Sequence, residues 1–416
     1  MTASAPQVST QLSADQLRRG QAALIRYVAA GAANNALVGS TGALFLLSLG
    51  ATPFQLGLLA TFTQLDKIAR LAGAELMRHT GKAGIMLWGR LLASPVTAGL
   101  AIAAAMGIAG QGAIWATIGV LAVRGALQQT GNAAWWPLIR DVTEGGSLGE
   151  FLSRMRTWQR LLELALPVAV GTWLGEQPEP TRFAPLFAVC VFVLLLAAWW
   201  IRGVPERPLP PTGESLWRRL HQVVSVPAIR RFCLYLGFRV FITSASFPFW
   251  VIVLTERGLP VSQFVWMTSL LALGQIATLW FWGRLVDRRG PRIALQVPLA
   301  GTAVLGAMWL FLPEGGGALL AWTAVLHLVW GTMEAGSQMG QSRVMVDAVP
   351  DHLQGEGFAI VIYASAIGGS LGGLLGGLGF EWVTRLGFDH TEYLAILQAL
   401  TVVPLLLSLR LAPRST

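Results

Sequence analysis

The sequence predicts an all-α polytopic membrane protein, and three observations predict it. Of its 416 residues 54% are hydrophobic and only 12% charged, where a soluble chain carries about 25% charge. Apolar runs of span length recur from one end of the chain to the other, with short polar connections between them. Lys and Arg gather on alternate connections rather than being spread evenly.

Runs of about twenty apolar residues are long enough to cross the hydrocarbon core as helices. Twelve are expected, over 22–48, 54–77, 83–109, 111–138, 150–175, 182–201, 229–255, 261–284, 291–313, 316–346, 354–380 and 390–411. The first twenty residues are polar, and the run after them is long enough to span, so no cleavable signal is expected. The basic residues set the orientation. Only Arg182, Arg257 and Arg385 fall on one side, Lys67, Arg70, Arg124 and Arg239 are counted inside spans, and the rest are assigned to the other side and the tails. That bias predicts a multi-pass protein of the cytoplasmic membrane with both termini in the cytoplasm. It also accounts for the net charge of +9 without any nucleic acid.

The chain divides into a tail (1–21), a first six-helix bundle (22–201), a linker (202–228), a second bundle (229–411) and a short tail (412–416). The linker begins as a Pro-rich spacer. It then places Trp217, Leu220 and Val224 on one face beside Arg218, Arg219 and His221, the pattern of a helix lying on the membrane surface. The two bundles repeat. "DVTEGGSLGEF" from Asp141 matches "DAVPDHLQGEGF" from Asp347, each an Asp, seven residues and then Gly-Glu, and "GATPFQ" pairs with "RGLPVSQ" at an equivalent turn. Parallel halves of this kind are a transporter arrangement.

Between the eighth and ninth spans stands "GRLVDRRGPR", a dense ionic stretch in an apolar chain. Gly283, Asp287, Arg288, Gly290 and Arg292 resemble the loop signature of the major facilitator superfamily, with Pro291 in place of a basic residue. The resemblance covers essentially the whole chain and implies that family's fold, twelve transmembrane helices in two six-helix bundles, and transport of a solute. It implies a gating role for Gly283, Asp287, Arg288, Gly290 and Arg292; by charge, Asp287 can face the start of the fifth span near Gly149 or pair with an Arg. The plain alternative is positive-inside charge with no gating duty. A second copy of the loop is expected after the second span. There "GAELMRHTGKAG" keeps Gly81, Arg78 and Lys82 but offers His79 near the expected Asp, so a carboxylate must come from Glu75.

The resemblance also implies that the first, fourth, seventh and tenth spans line a central cavity, and each of them carries a polar stripe at helical spacing. Span one has Asn34 and Thr41, with Asn35 adjacent. Span four has Arg124, Gln128, Gly131 and Trp135, and span seven Arg239, Thr243, Ser246 and Trp250. Span ten has His327, Glu334, Gln338 and Gln341. A charge near the bilayer centre costs about 2.5–3.5 kcal/mol or more and needs a partner or water. Asn34, Asn35, Arg124, Gln128, Arg239, Thr243, Trp250 and Gln338 are therefore the candidate solute-binding residues. Asp66, His327 and Glu334 are the candidate proton carriers, and Arg156, Arg160 and Glu163 of span five are further gating charges. Structural alternatives stand beside these. Asn34 and Asn35 fit helix-packing hydrogen bonds, Arg124 fits an ion pair with Glu334, Asp66 fits one with Arg70 four residues on, and His327 fits an interior histidine. "GGSLGGLLGG" in span eleven is a small-residue ladder for close helix approach.

Cys190 and Cys233 lie singly in apolar segments, and the histidines lack ligand spacing, so no disulfide framework, metal or other cofactor is implied. No phosphate loop or nucleophile elbow appears, which speaks against an enzyme or a primary pump. The sequence predicts a monomeric secondary transporter whose partners are a small anionic or zwitterionic solute, protons and membrane lipid. An uncoupled facilitator, an anion exchanger, and a receptor or assembly factor that no longer transports are the alternatives.

Overall fold

The computed structural model describes residues 12–39, 41–143, 148–207, 216–348 and 354–409. Twelve helical rods stand where the apolar runs lie, several of them broken. In the first half α1 (Ala14–Asn34) passes through a π turn (Asn35–Gly39) toward α2 (Thr41–Ser48). Next, α3 (Pro53–Leu65) passes through a 3-10 turn (Asp66–Ala69) into α4 (Arg70–Thr80). Then come α5 (Lys82–Ala105), α6 (Gln111–Asn132) with α7 (Trp135–Val142), α8 (Leu148–Leu174) and α9 (Phe183–Ile201). A connecting helix α10 (Leu216–Ser225) leads to the second half. There α11 (Pro227–Ser246) and α12 (Trp250–Glu256) flank a 3-10 turn, followed by α13 (Val261–Arg289), α14 (Pro291–Trp309) and α15 (Gly316–Ala348). The chain closes with α16 (Gln354–Leu386), α17 (His390–Ala399) and α18 (Val402–Ser408).

The first rod begins at Ala14, a full two turns before its apolar run, because Ser13 and Gln16 form a reciprocal capping box. The "GATPFQ" turn works the same way. Thr52 and Gln55 cap each other, with Pro53 in the first turn of α3. Among the described residues, seven helical stretches are long and apolar enough to cross a membrane by length and composition, including Lys82–Ala105, Pro227–Glu256 and Ile360–Leu386. The rod of α3 and α4 is not one of them, since Asp66, Lys67 and Arg70 interrupt its apolar run. Large apolar side chains such as Trp88, Phe192, Val304 and Trp382 are exposed on the outer faces, as a lipid-facing surface requires.

Two six-helix bundles result. In the first, α1 packs on α8 and α9, and α5 on α6 and α9. In the second, α11 packs on α16, α13 on α15, and α14 on α15 and α17. The halves meet chiefly where α3 lies on α16 and α8 on α13. The small-residue ladder of α16 presents two faces. Gly368, Gly372 and Gly376 meet Gly237, Phe241 and Ala245 of α11, while Gly369, Gly373 and Gly377 meet Gln64, Thr61 and Gly57 of α3. A Cβ on Gly373 would stand 2.7 Å from the Thr61 nitrogen, so only glycine admits this approach. Thr61 Oγ1 donates to the Ser370 carbonyl oxygen at 3.0 Å, and Ser370 Oγ returns a bond to the Thr61 carbonyl oxygen at 3.3 Å.

The repeat shows in two turns with one backbone geometry. Gly81 before α5 has φ 80° and ψ 169°, and Gly290 before α14 has φ 77° and ψ 170°, a left-handed region that favours glycine. The chemistry around the first of them corrects the sequence reading. Glu75 is exposed and sits 3.7 Å from Arg78. The carboxylates come instead from Asp141 and from the linker. Lys82 Nζ donates to Asp141 Oδ2 at 2.6 Å, with both side chains buried, and the Arg207 amide donates to the same oxygen at 2.9 Å. Glu206 Oε2 accepts from the Ala83 amide at 2.7 Å, an anion at the start of α5 where unsatisfied N–H groups point outward. The start of the linker is thus strapped to the first bundle. Further along, α10 turns one apolar residue inward and another outward. Val223 is buried against Ile229 while Val224 is 40% exposed; the side chains of Trp217, Arg219 and Leu220 lie outside the described residues.

The buried Lys82–Asp141 pair generates a stability prediction. Lys82→Met leaves Asp141 charged and short of its cation, a change that costs about 3–5 kcal/mol when a buried pair loses one partner. Thermal unfolding in detergent should show that loss, and the double replacement Lys82→Met with Asp141→Leu should recover most of it.

Candidate functional site

In the second half, Arg239 of α11 and Glu334 of α15 face each other and form an ion pair. Helical spacing places Thr243 one turn above Arg239 and Gln338 one turn beyond Glu334. Thr243 Oγ1 donates to the Arg239 carbonyl oxygen at 3.1 Å, and Gln338 Nε2 donates to Glu334 Oε1 at 3.1 Å. The pair is not sealed: the Arg239 side chain is 13% exposed and that of Glu334 21%. Both border a cavity of about 170 Å³, with Thr243, Phe247 and Trp330 also in its wall. Gln64 of α3 contributes from the other half, and its Oε1 accepts from Lys67 Nζ.

A polar chain runs on from Glu334 across the halves. Arg160 of α8 pairs with Glu163 at 2.6 Å, and its other nitrogen reaches Gln338 Oε1 at 3.5 Å. Arg239, Glu334, Gln338, Arg160 and Glu163, picked out separately for solute binding, proton transfer and gating, therefore stand in one connected set. Arg156, one turn earlier, is exposed.

Arg124 does not join them. It is buried inside the first half, where Nε donates to Thr97 Oγ1 at 3.0 Å and a terminal nitrogen donates to Asn34 Oδ1 and lies 3.5 Å from Cys190 Sγ. The alternative pairing of Arg124 with Glu334 is thereby corrected, since each has another partner. Gln128 belongs to the same interior network through Asn34. So does Arg90, which sequence reasoning had assigned to the basic side. It is buried, and donates to Tyr27 Oη at 2.9 Å and Gln128 Oε1 at 2.7 Å. Its signal was present in the sequence as an arginine eight residues into an apolar run. Asn35 is exposed while Asn34 is buried, because neighbouring helical positions point in different directions.

Two further candidates lie in apolar surroundings. Trp250 is fully buried, its ring 5.1 Å from Trp309 and 5.5 Å from His327. His327 is likewise fully buried, with Nδ1 2.9 Å from the Thr323 carbonyl oxygen and Phe264 on another side. Neither borders the cavity. The interruption at Asp66–Ala69 breaks the helical register, so the expected Asp66–Arg70 pair is absent among the described residues. Arg70 Nε donates to Gln129 Oε1 at 2.8 Å instead. The Asp66 carboxylate packs against Gly125, and its Oδ1 is buried with no hydrogen-bond partner.

At the α13–α14 turn Arg288 is exposed and Arg292 half-buried, and neither forms an ion pair among the described residues. Gly283 and Gly290 have open space beside them. The Asp287 side chain and residues 144–147 lie outside the described residues, and with them the expected contact near Gly149.

The chain matches the model of the Major Facilitator Superfamily over residues 23–373. No curated protein matches it by sequence. It is similar in fold to a point mutant of the nucleoside transporter NupG, with a TM-score of 0.75 at 12% identity, covering 94% of this chain and 100% of that one. A bacterial homologue of the human lysosomal transporter Spinster, inward-facing and unoccupied, gives a TM-score of 0.68 at 14% identity over 96% and 95%. A bacterial homologue of the iron transporter ferroportin, in an inward-facing state, gives 0.67 at 14% over 97% and 100%. With twelve helical rods in two bundles and a family match across most of its length, the chain belongs to the major facilitator superfamily.

Proposed function

We propose that this protein is a secondary active transporter that moves a small anionic or zwitterionic solute across the cytoplasmic membrane by alternating access, coupled to protons, with both termini in the cytoplasm. One observation carries the reading: an Arg239–Glu334 pair, partly open, borders a cavity to which both halves contribute. An ion pair within a membrane bundle is costly to keep and marks a functional site by default. Solute binding is assigned to Arg239, Glu334, Thr243 and Gln64.

Contacts between the halves support the alternating-access part. Thr61 with Ser370, and the Val261 amide donating to the Glu176 carbonyl oxygen at 3.3 Å, join the halves toward the end away from the termini. Opening there requires α3 to leave α16, which reciprocal hydrogen bonds and glycine contacts permit without breaking a buried ion pair. Gln338 and Arg160 supply a link from Glu334 to the opposite half, so a change at the pair is felt by α8.

Asp66 is the proposed proton carrier. Its orphaned oxygen is satisfied if the carboxyl is protonated and donates, or if another state brings it a donor. Glu334 is committed to Arg239, and His327 is enclosed by aromatic rings. Proteoliposome uptake with and without an inward pH gradient tests the coupling. The wild type should accumulate solute only with the gradient, and Asp66→Asn should keep solute exchange while losing gradient-driven accumulation. Flux indifferent to the gradient in the wild type makes the protein a facilitator or exchanger.

A second prediction concerns the closed end. Gly373→Val forces α3 and α16 apart. In a background lacking Cys190 and Cys233, a cysteine replacing Ser370 should then react severalfold faster with a thiol reagent from that side; unchanged labelling would remove this contact from the gating scheme.

A further inference from the structure

We infer that the solute is a small zwitterion whose carboxylate takes Arg239 and whose cationic group takes Glu334, the ion pair opening to receive it. The inference rests on the transport site proposed above and narrows its solute class. The charged residues lining the cavity are one arginine and one glutamate, already bonded to each other. A monoanion that takes Arg239 leaves the Glu334 carboxylate unpaired and facing a second anion. A monocation on Glu334 leaves Arg239 in the same position. An unpaired charge in such a site is strongly unfavourable, and only a ligand with both charges replaces each half of the pair.

The remaining polar side chains of the wall, Gln64, Thr243 and Ser244, are neutral. Thr243 Oγ1 donates to the Arg239 carbonyl oxygen, and Gln64 Oε1 accepts from Lys67. The ion pair thus supplies the charged groups of the wall, and the neutral groups add hydrogen bonds to the body of the solute. Lys67 stands one hydrogen bond behind the wall and contributes potential but no lining atom. Four residues from Thr243 and from Glu334 along the same rods, Phe247 and Trp330 stack at 6.2 Å and 26°. Their faces suit the apolar part of a small solute and attract a nearby cationic group.

The test measures binding to the full chain in lipid nanodiscs, by thermal shift and by tryptophan fluorescence, since Trp330 lies in the wall. The probes are the standard amino acids, glycine betaine and simple dipeptides, each beside its matched amine lacking the carboxylate and its matched acid lacking the cationic group. At least one zwitterion should bind the wild type at least about tenfold more tightly than either matched partner. Glu334→Gln should transfer the preference to the acid and Arg239→Gln to the amine, and these gains show that each variant is folded. A wild type that binds an acid or an amine as tightly as its zwitterion overturns the inference, and so does a panel in which no zwitterion binds. Neither result removes transport, which falls separately if proteoliposomes carry no member of the zwitterionic, acidic, basic or neutral pools.

Discussion

Helix α16 is held at backbone distance from two neighbours at once, and the candidate site depends on that constraint. Gly368 and Gly372 lie against Gly237 and Phe241 of α11, the residues two positions before and after Arg239. Gly369 and Gly373 lie against Gln64 and Thr61 of α3. One helix therefore fixes the height of the cavity arginine in the second half and of the facing glutamine in the first. Apolar burial does not drive helices together in lipid, so van der Waals contact and interhelical hydrogen bonds must do it. Glycine on two adjacent faces gives α16 both neighbours, and the Thr61–Ser370 exchange sets their register.

The arginines deep in the two halves are held in different ways. Arg239 has a carboxylate, and the pair is neutral. Arg90 and Arg124 are bonded only to neutral groups among the described residues: Tyr27, Gln128, Thr97, Asn34 and the Cys190 thiol. Asn34 receives Arg124 through its oxygen and reaches Gln128 through its nitrogen, so one amide joins α1 to α6. Such a network keeps positive charge inside the first half, and the Asp66 carboxylate lies close by against Gly125, the residue after Arg124. A proton arriving at Asp66 would then raise the charge of that region by one, while the Arg239–Glu334 pair stays neutral.

Much of the fold was readable because lipid imposes long apolar runs and a positive-inside bias, and both leave plain marks in composition. The stripe logic also worked wherever the helix stayed regular. Arg239 with Thr243 and Glu334 with Gln338 are four apart on unbroken helix and do lie together. It failed at the breaks. The turn at Asp66–Ala69 separates Asp66 from Arg70, and the gap after Asn132 carries Trp135 onto Tyr27, 6.2 Å away between centroids, instead of along the Arg124 stripe. Periodicity also says nothing of distance across the chain, so it could not show that Glu206 caps a helix beginning at Lys82. Arg90 was missed for a different reason: a count of basic residues by side treats an arginine near a span end as loop charge, although a hydrogen-bonded partner on α1 can hold it inside.

The two repeat turns show how one geometry acquires two uses. Gly81 and Gly290 have nearly the same φ and ψ, so the path of the chain is shared. After Gly81 comes Lys82, which is buried against Asp141 beneath the linker residues Glu206 and Arg207. After Gly290 comes Pro291, which has no cation to bury, and the charges move outward to Arg288 and Arg292. The first turn thus serves to hold the linker to its own bundle, and its cation is engaged there rather than with the other half. The second keeps cations with no ion pair among the described residues, on a turn with open space around both glycines. The symmetry of the two loops thus survives in their backbone but not in their chemistry.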